Sequence, residues 1–264
     1  MKKSWDYNFH SHTYRCGHAF GTDEEYVLSA VKAGFKTLGF SDHVFLPGIH
    51  EPGMRGDLSE LDGYRHSVEV LRRRYEGLID IYLGFEAEYS PHFEDYYRGL
   101  LEKERVEYLI LGQHSYYQDG KMRWYSTGRE PDDAIRAYTD DLIKGMESGL
   151  FLYCNHPDFF LIYHHYWNEA AEECAYRIAN ASKRLNVPLE INMAHGRLAL
   201  PEEKGTVDYP FPNFWDIVAK VGCDVVFGVD AHSPMEYQQT RYSLFEEFAA
   251  SRNLSIITPK VKHK

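Results

Sequence analysis

Histidine and acidic side chains are the residues of this sequence that could do chemistry. The chain has 264 residues, of which 14 are histidine, and many of these histidines directly follow short apolar runs. His10 and His12 are two positions apart, so in an extended segment both side chains point the same way and can bind one ion. Imidazole together with carboxylate suits Zn, Mn or Fe better than Ca. The pattern therefore predicts a metal site.

Repeated β-α units must position these groups, because short apolar, β-prone runs alternate with longer stretches of helical period. Seven strands are predicted at Trp5–Phe9, Thr37–Phe40, Ile79–Phe85, Tyr108–Leu111, Leu150–Cys154, Pro188–Asn192 and Asp224–Val229. Helices are predicted near Asp23–Ala33, Ser59–Tyr75, Pro91–Lys103, Pro131–Glu147, Asn168–Leu185, Pro212–Val221 and Pro234–Ala249. No linker-like stretch divides the chain, so we expect one α/β barrel-like domain over residues 1–264.

The polar groups cluster at the ends of these strands. They are His10, His12 and then His18 after the first strand, Asp42 and His43 after the second, Glu86 and Glu88 at the third, His114 after the fourth, His156 after the fifth, and Asp230 and His232 after the seventh. In a parallel barrel all carboxyl ends open on one face. One histidine after an apolar run is more often a hydrogen-bonded core or rim residue, but six strands ending this way favour a shared metal centre.

The motifs around these residues resemble the PHP (polymerase and histidinol phosphatase) family. They read His10-Ser-His-Thr-Tyr-Arg-Cys-Gly-His18, Gly39-Phe-Ser-Asp-His43, Gly84-Phe-Glu86, Gly112-Gln-His114, Cys154-Asn-His-Pro157 and Gly228-Val-Asp-Ala-His232. The resemblance runs from residue 8 to about residue 235. Order and spacing are similar to the branch of stand-alone histidinol-phosphate phosphatases.

This resemblance implies a distorted (β/α)7 barrel of the PHP type with three divalent metal ions (Zn, Mn or Fe). Carried over by position, one ion would be held by His10, His12, Glu86 and Asp230, a second by Glu86, His114 and His156, and a third by His18, His43 and His232. All nine positions carry the residue type that the family has there. Cys16 matches a position that is not a ligand, so a packed thiol is the simpler reading.

The implied activity is hydrolysis of a small phosphate monoester by direct attack of a metal-bridging hydroxide on phosphorus. The leading substrate hypothesis is L-histidinol phosphate of histidine biosynthesis. Metal ligands read only the phosphoryl group, so another small phosphate monoester or a nucleotide stays an alternative. A non-catalytic PHP module is the other alternative, and the complete ligand set counts against it.

Four further residues are candidates for catalysis or substrate binding. Arg197, after the sixth strand, is either a bidentate phosphate contact or a surface arginine. Asp42 is either an acceptor that orients His43 or a neighbouring ligand, or the general acid for the leaving alkoxide. Glu88 is interpreted as a rim carboxylate for a substrate ammonium group. Tyr117, soon after the fourth strand, is expected to line the pocket.

Composition excludes several other classes. Lys plus Arg total 29 against 40 Asp plus Glu, a net charge of −11, which argues against a nucleic-acid partner. No apolar run approaches the ~20 residues that span a bilayer, and no secretory signal is visible. The four cysteines are scattered without a CxxC pair, so we expect a reducing cytoplasm. The oligomeric state stays open at this stage.

Overall fold

A computed structural model describes residues 4–163, 166–194 and 210–261 of the chain. Within these ranges the strands are β1 (Tyr7–Asn8), β2 (Thr37–Phe40), β3 (Asp80–Ala87), β4 (Tyr108–Leu111), β5 (Ser115–Gln118), β6 (Lys121–Trp124), β7 (Leu189–Asn192), β8 (Asp224–Gly228) and β9 (Ser255–Ile256). The α-helices are α1 (Asp23–Lys32), α2 (Leu61–Arg74), α3 (Glu94–Glu102), α4 (Pro131–Glu147), α5 (Glu169–Leu185), α6 (Pro212–Val221), α7 (Glu236–Gln239) and α8 (Tyr242–Ser251).

The strands follow one another around a ring of parallel pairs. Strands β1 to β4 pair in sequence order, and β7 pairs with β8 and β8 with β9. Cys154 forms single bridges to Leu111 and Leu189, which link the two sheets. A parallel bridge between Ser11 and Ala231 closes the ring between the segments that follow β1 and β8. The chain therefore has the predicted α/β barrel architecture, with all carboxyl ends of its parallel strands at one mouth.

The helices begin where their first residues can satisfy free backbone amides. Thr22 and Glu25 form a reciprocal capping box at the start of α1, as their spacing predicts. Pro131 and Pro212 occupy the first position of α4 and α6, where a missing N–H costs nothing. Along the chain these helices connect successive strand segments of the ring.

Two predicted elements differ from the structure. Leu150–Cys154 is not a continuous strand, because only Cys154 forms bridges, although Leu152 N donates to Leu109 O at 2.8 Å along the same path. The predicted helix Pro234–Ala249 is two helices, because Thr240 is extended at φ −60° and ψ 130°. Both differences leave the strand order, and so the position of the mouth, unchanged.

A hairpin that sequence analysis missed follows β4. Strands β5 and β6 pair antiparallel around a turn at Asp119 and Gly120, both with positive φ. The Asp-Gly pair is a hairpin signal, so the element was readable from the sequence. The hairpin begins one residue after His114 and stands beside the mouth.

Candidate metal centre

The nine residues predicted as ligands lie together at the carboxyl ends of the strands. Glu86, on β3, is their centre. Its Oε2 lies 3.0 Å from His43 Nδ1 and 3.2 Å from His12 Nε2, and its Oε1 lies 2.8 Å from His156 Nε2. A Cβ at Gly112 would stand 2.1 Å from Glu86 Oε1, so only glycine leaves room for this carboxylate. One buried carboxylate thus faces ligands from several strands.

The first inner group combines β1 with the segment after β8. His10 Nε2 and His12 Nε2 each lie 3.2 Å from Asp230 Oδ1, and Glu86 completes the group. Asp230 has φ +51°, a left-handed conformation that is costly for a side chain with a Cβ and often marks a functional site. This backbone conformation places the Asp230 carboxylate against His10 and His12.

The second inner group joins His114 and His156 to Glu86. The three candidate ligand atoms are His114 Nε2, His156 Nε2 and Glu86 Oε1. His114 Nε2 lies 3.2 Å from His156 Nε2 and 3.4 Å from Glu86 Oε1. His156 also has a positive φ, +28°. Asn155 Nδ2 donates to Glu86 Oε1. His114 and His156 are 7% and 3% exposed, so this group is also enclosed.

The outer group consists of His18, His43 and His232, whose candidate ligand atoms lie within 4.8 Å of one another. His18 is exposed and His232 partly so. His18 Nδ1 lies 3.1 Å from the Gly53 carbonyl oxygen, and His232 Nδ1 lies 3.0 Å from that of Asp230. Carbonyls only accept, so each Nδ1 carries the proton and each Nε2 is left as a ligand atom.

The charges of the inner groups are set by their mutual contacts. Burial raises the pKa of Glu86, but His114, His43 and His10 outweigh it and hold the pKa well below its ordinary value. Burial likewise raises the pKa of Asp230, which His10 and His12 overcome. Burial lowers the pKa of His12, and contacts with Asp230 and Glu86 raise it to about 9. The two acids therefore stay ionised and attract cations.

The residues present fit transition-metal ions. Six buried side-chain atoms of the ligand residues have no hydrogen-bond partner, namely His10 Nε2, His12 Nδ1, His43 Nδ1, Glu86 Oε2, His156 Nδ1 and Asp230 Oδ1. Buried polar atoms without partners are rare in native proteins because they cost free energy. Several in one cluster of imidazoles and carboxylates are the signature of a site for ions such as Zn, Mn or Fe. The described residues are arranged to bind metal.

Two candidate residues have surroundings other than those predicted. Glu88 is not on the rim: it is 1% exposed and is held by Arg55, because a carboxylate can be buried only when paired. Asp42 does not orient an imidazole of His43, because both its oxygens accept from Thr13, the backbone N at 2.6 Å and Oγ1 at 2.7 Å. Asp42 instead fixes the backbone that follows His12.

The other two candidates are Tyr117 and Arg197. Tyr117 stacks on His92, with ring centroids 4.2 Å apart, so it lies on the hairpin beside the mouth. Arg197 lies outside the described residues. Burial raises the pKa of the Cys16 thiol to about 12, consistent with a packed, protonated side chain.

Sequence analysis missed the residues that support the ligands from behind. His10 Nδ1 lies 3.0 Å from both oxygens of Glu190, on β7, and Asn192 Nδ2 donates to Glu190 Oε1 at 2.9 Å and to Asp230 Oδ2 at 3.1 Å. A Cβ at Gly228 would stand 2.0 Å from Glu190 Oε2. The available signal was alternation, since acidic and amide side chains two apart inside an apolar strand share one face.

The fold and the ligand cluster together define an α/β barrel with a histidine-rich metal centre at its mouth. Residues 8–194 match the PHP domain. Because that match covers most of the chain, the chain belongs to the PHP family, and it is a metal-binding protein.

Named relatives and solved structures agree with this assignment. The chain is 28% identical over 232 residues to a probable histidinol-phosphatase of Deinococcus radiodurans, covering 86% of each. A putative histidinol phosphatase of Listeria monocytogenes has a TM-score of 0.73 at 19% identity, covering 91% of this chain and 100% of its own. The histidinol phosphate phosphatase of Lactococcus lactis, solved with zinc, L-histidinol and phosphate, has 0.72 at 17%, covering 98% and 97%. At these identities the two structures show the fold.

Across the described ranges, no helix has both the length and the apolar character needed to cross a bilayer.

Proposed function

We propose that this chain is a metal-dependent phosphomonoesterase that hydrolyses L-histidinol phosphate to L-histidinol and phosphate. The observation that carries the proposal is the convergence of nine histidine and acidic side chains at the mouth of a PHP barrel. The names of relatives support the substrate, as does a structural neighbour that holds zinc, L-histidinol and phosphate together. The ligands themselves read only the phosphoryl group, so the substrate part of the proposal rests on these relatives.

We further propose three divalent ions, one for each ligand group. The first inner group would use His10, His12, Asp230 and Glu86. The second would use His114, His156 and the same Glu86. The outer group would use His18, His43 and His232. Zinc is supported by the neighbour's complex, and the mixed nitrogen and oxygen ligands suit Mn and Fe equally. When bound, such ions activate water and neutralise the phosphoryl oxygens that develop charge in an in-line displacement.

The chain's own residues supply charge, orientation and a dry environment. Glu86 Oε1 faces His114 and His156, whereas Oε2 faces His12 and His43. We therefore propose that this carboxylate would be shared between ions, which an imidazole cannot do. Asp230 stays ionised and its Oδ1 faces the Nε2 atoms of His10 and His12, so these three side chains would hold one cation together. Because this cluster is almost completely buried, its electrostatic interactions are screened little by water.

The remaining site assignments are also proposals. Arg197 would grip the phosphate, since a guanidinium matches phosphate oxygens in bidentate fashion. Tyr117 would bound the pocket from the hairpin side. For the leaving alkoxide, Asp42 is the candidate acid, and burial raises its pKa, which favours the protonated form. Its bonds to Thr13 would have to open for that role, so a purely positional role is the alternative outcome.

We infer that the chain acts as a single domain in the cytoplasm, on a small phosphorylated substrate rather than a nucleic acid. All four cysteines are buried and unpaired, as is usual in a reducing compartment. The net charge of −11 disfavours a polyphosphate partner.

The test of the substrate compares kcat/KM for L-histidinol phosphate with a panel of sugar phosphates and nucleotides, using zinc-loaded enzyme and chelator-treated enzyme as its matched control. We expect a clear preference for L-histidinol phosphate, abolished by the chelator. Equal kcat/KM values across the panel would mean that the chain is a phosphatase whose substrate is not L-histidinol phosphate in particular. No turnover of any monoester by metal-replete protein would favour the non-catalytic PHP module.

A further inference from the structure

A turn between β2 and α2, Glu51–Arg55, contacts the outer ligand group directly and the second inner group through Glu88. Met54 N and Arg55 N both donate to Glu51 O, at 3.0 and 3.1 Å, which closes the turn. At its tip the Gly53 carbonyl oxygen accepts from His18 Nδ1 in the outer group. At its end the side chain of Arg55 enters the interior. The turn has no ligand of its own, so its role must be exerted through other residues.

Arg55 is a fully buried cation with all its nitrogens engaged. Its side chain is 0% exposed. Nε donates to Glu51 at 2.8 Å, Nη1 to the Val44 carbonyl at 3.1 Å, and Nη1 and Nη2 to Glu88 at 3.1–3.2 Å. The fork of the guanidinium matches the Glu88 carboxylate in two places, which a lysine ammonium cannot do. Glu88 is therefore held in both position and orientation.

Glu88 in turn contacts a candidate metal ligand. Its Oε1 lies 3.3 Å from His114 Nδ1. A carboxylate accepts, so the proton of His114 is placed on Nδ1 and the lone pair on Nε2, the atom that faces Glu86 and His156. Carboxylates that receive the second N–H of a metal-binding histidine fix its tautomer and ring and increase its basicity.

We propose that Arg55 is a positioning residue of the metal centre, which holds Glu88 so that Glu88 fixes the ring and tautomer of His114. This rests on the metal-binding part of the proposed function and not on the identity of the substrate. Without Arg55, the buried Glu88 carboxylate loses its cation and turns to other donors. His114 then has two ring orientations and two tautomers, and zinc affinity at the second inner group falls.

The experiment measures zinc binding by the full chain with Arg55→Gln, Arg55→Lys, Glu88→Gln and the double variant Arg55→Gln/Glu88→Gln. Arg98→Gln is the matched control, because Arg98 pairs with Glu94 on an exposed helix face. Zinc affinity is obtained by competition with a chelator and zinc content by mass spectrometry. Imidazole nitrogen NMR of the zinc-loaded protein reports the His114 tautomer, a signal that a merely structural role would not move.

We expect Arg55→Gln and Glu88→Gln each to weaken zinc binding by about 10- to 100-fold, and the double variant to be no weaker than the worse single one. Arg55→Lys should lie between Arg55→Gln and the unmodified chain, since it keeps the charge but not the fork. The His114 Nδ1–H signal should shift or broaden in the Arg55 variants. Arg98→Gln should match the unmodified chain in all readouts.

Unchanged zinc affinity and an unchanged His114 signal in any folded Arg55 variant overturn the proposal. If Arg55→Gln does not fold, Arg55→Lys decides, because it leaves no buried carboxylate without a cation. Additive losses in the double variant also contradict it, since they mean that Arg55 does not act through Glu88. The proposed substrate fails separately, if zinc-loaded protein does not hydrolyse L-histidinol phosphate while these zinc affinities behave as expected.

Discussion

The inner and outer ligand groups are supported in different ways. His10, in the first inner group, is 0% exposed and directs Nδ1 at the carboxylate of Glu190. His18 and His232, in the outer group, are at least partly exposed and direct Nδ1 at backbone carbonyls. A carboxylate makes the ligand imidazole more basic than a neutral carbonyl does, and burial strengthens the interaction with an ion.

This difference in burial and support predicts that the proposed metal ions are bound with unequal affinity. In the inner groups His10 and His114 face carboxylates, and the side chains are almost closed to solvent, so ions bound there should exchange slowly. In the outer group His43 is buried, but His18 is exposed and His232 is partly exposed, so an ion bound there should be held more weakly and leave first. Exposure of this kind also gives a phosphate group access to one side of the centre.

The most damaging single change to this arrangement is Glu86→Gln, because Glu86 faces ligands of both inner groups. We expect the loss of inner-group metal and a fall in kcat/KM beyond the roughly 100-fold that loss of a supporting residue causes. Metal content and phosphatase activity measure it. Glu94→Gln, on an exposed helix, is the control, and retention of full metal by Glu86→Gln would remove the contrast between the groups.

The second-largest effect should come from removal of metal, which should lower the free energy of unfolding. A ligand present at 1,000 times its Kd contributes about 4 kcal/mol to the free energy of unfolding, and metal-free protein retains unpartnered buried atoms. Calorimetry along a chelator titration should show a small decrease in Tm as one ion leaves and a larger one afterwards. A single step at one chelator concentration would show that the groups bind with equal strength.

Glu190→Gln addresses the carboxylate support of the inner histidines. It keeps an acceptor for His10 Nδ1 but removes the charge, so we expect zinc affinity to fall about 10- to 100-fold. Competition with a chelator measures the change, and Glu246→Gln, near the surface, is the control. If affinity is unchanged, the charge on Glu190 is not what distinguishes the inner groups.

His18→Ala should have the smallest effect. It removes one exposed ligand of the outer group, so we expect about one ion fewer per chain and a modest decrease in Tm, with the inner ions retained. Mass spectrometry and thermal unfolding measure both. His50→Ala serves as the control because His50 is also exposed and pairs only with Asp57. Loss of all metal from His18→Ala would mean that the groups are not separable.

The sequence predicts the ligands better than their supports. Residues such as His43 and His156 come within three positions of the end of an apolar run, so their place at the mouth follows from the parallel topology. Glu190 lies inside a strand, and its role depends on His10, which is distant in sequence. Arg55 lies in a turn without periodicity, and its partner Glu88 was read as a rim residue because a sequence does not show which charges are paired in the interior.

The helices and strands also differ in how well the sequence predicts them. Most strands and capped helices follow from local pattern, whereas Leu150–Cys154 does not form a continuous strand, since bridge formation depends on both neighbours. The missed hairpin is different, because its Asp119-Gly120 signal was present in the sequence. What local pattern cannot supply is the geometry between distant segments.

The bridge between Ser11 and Ala231 has a consequence for the order of events during synthesis. His10 and His12 are separated from Asp230 by about 220 residues of sequence, so the first inner group gains the Asp230 carboxylate only after the segment that follows β8 has been made. Contacts between such distant segments form late and slowly. Tight metal capture therefore reports that the barrel has closed, and a nascent chain that stops short of β8 cannot acquire the complete centre.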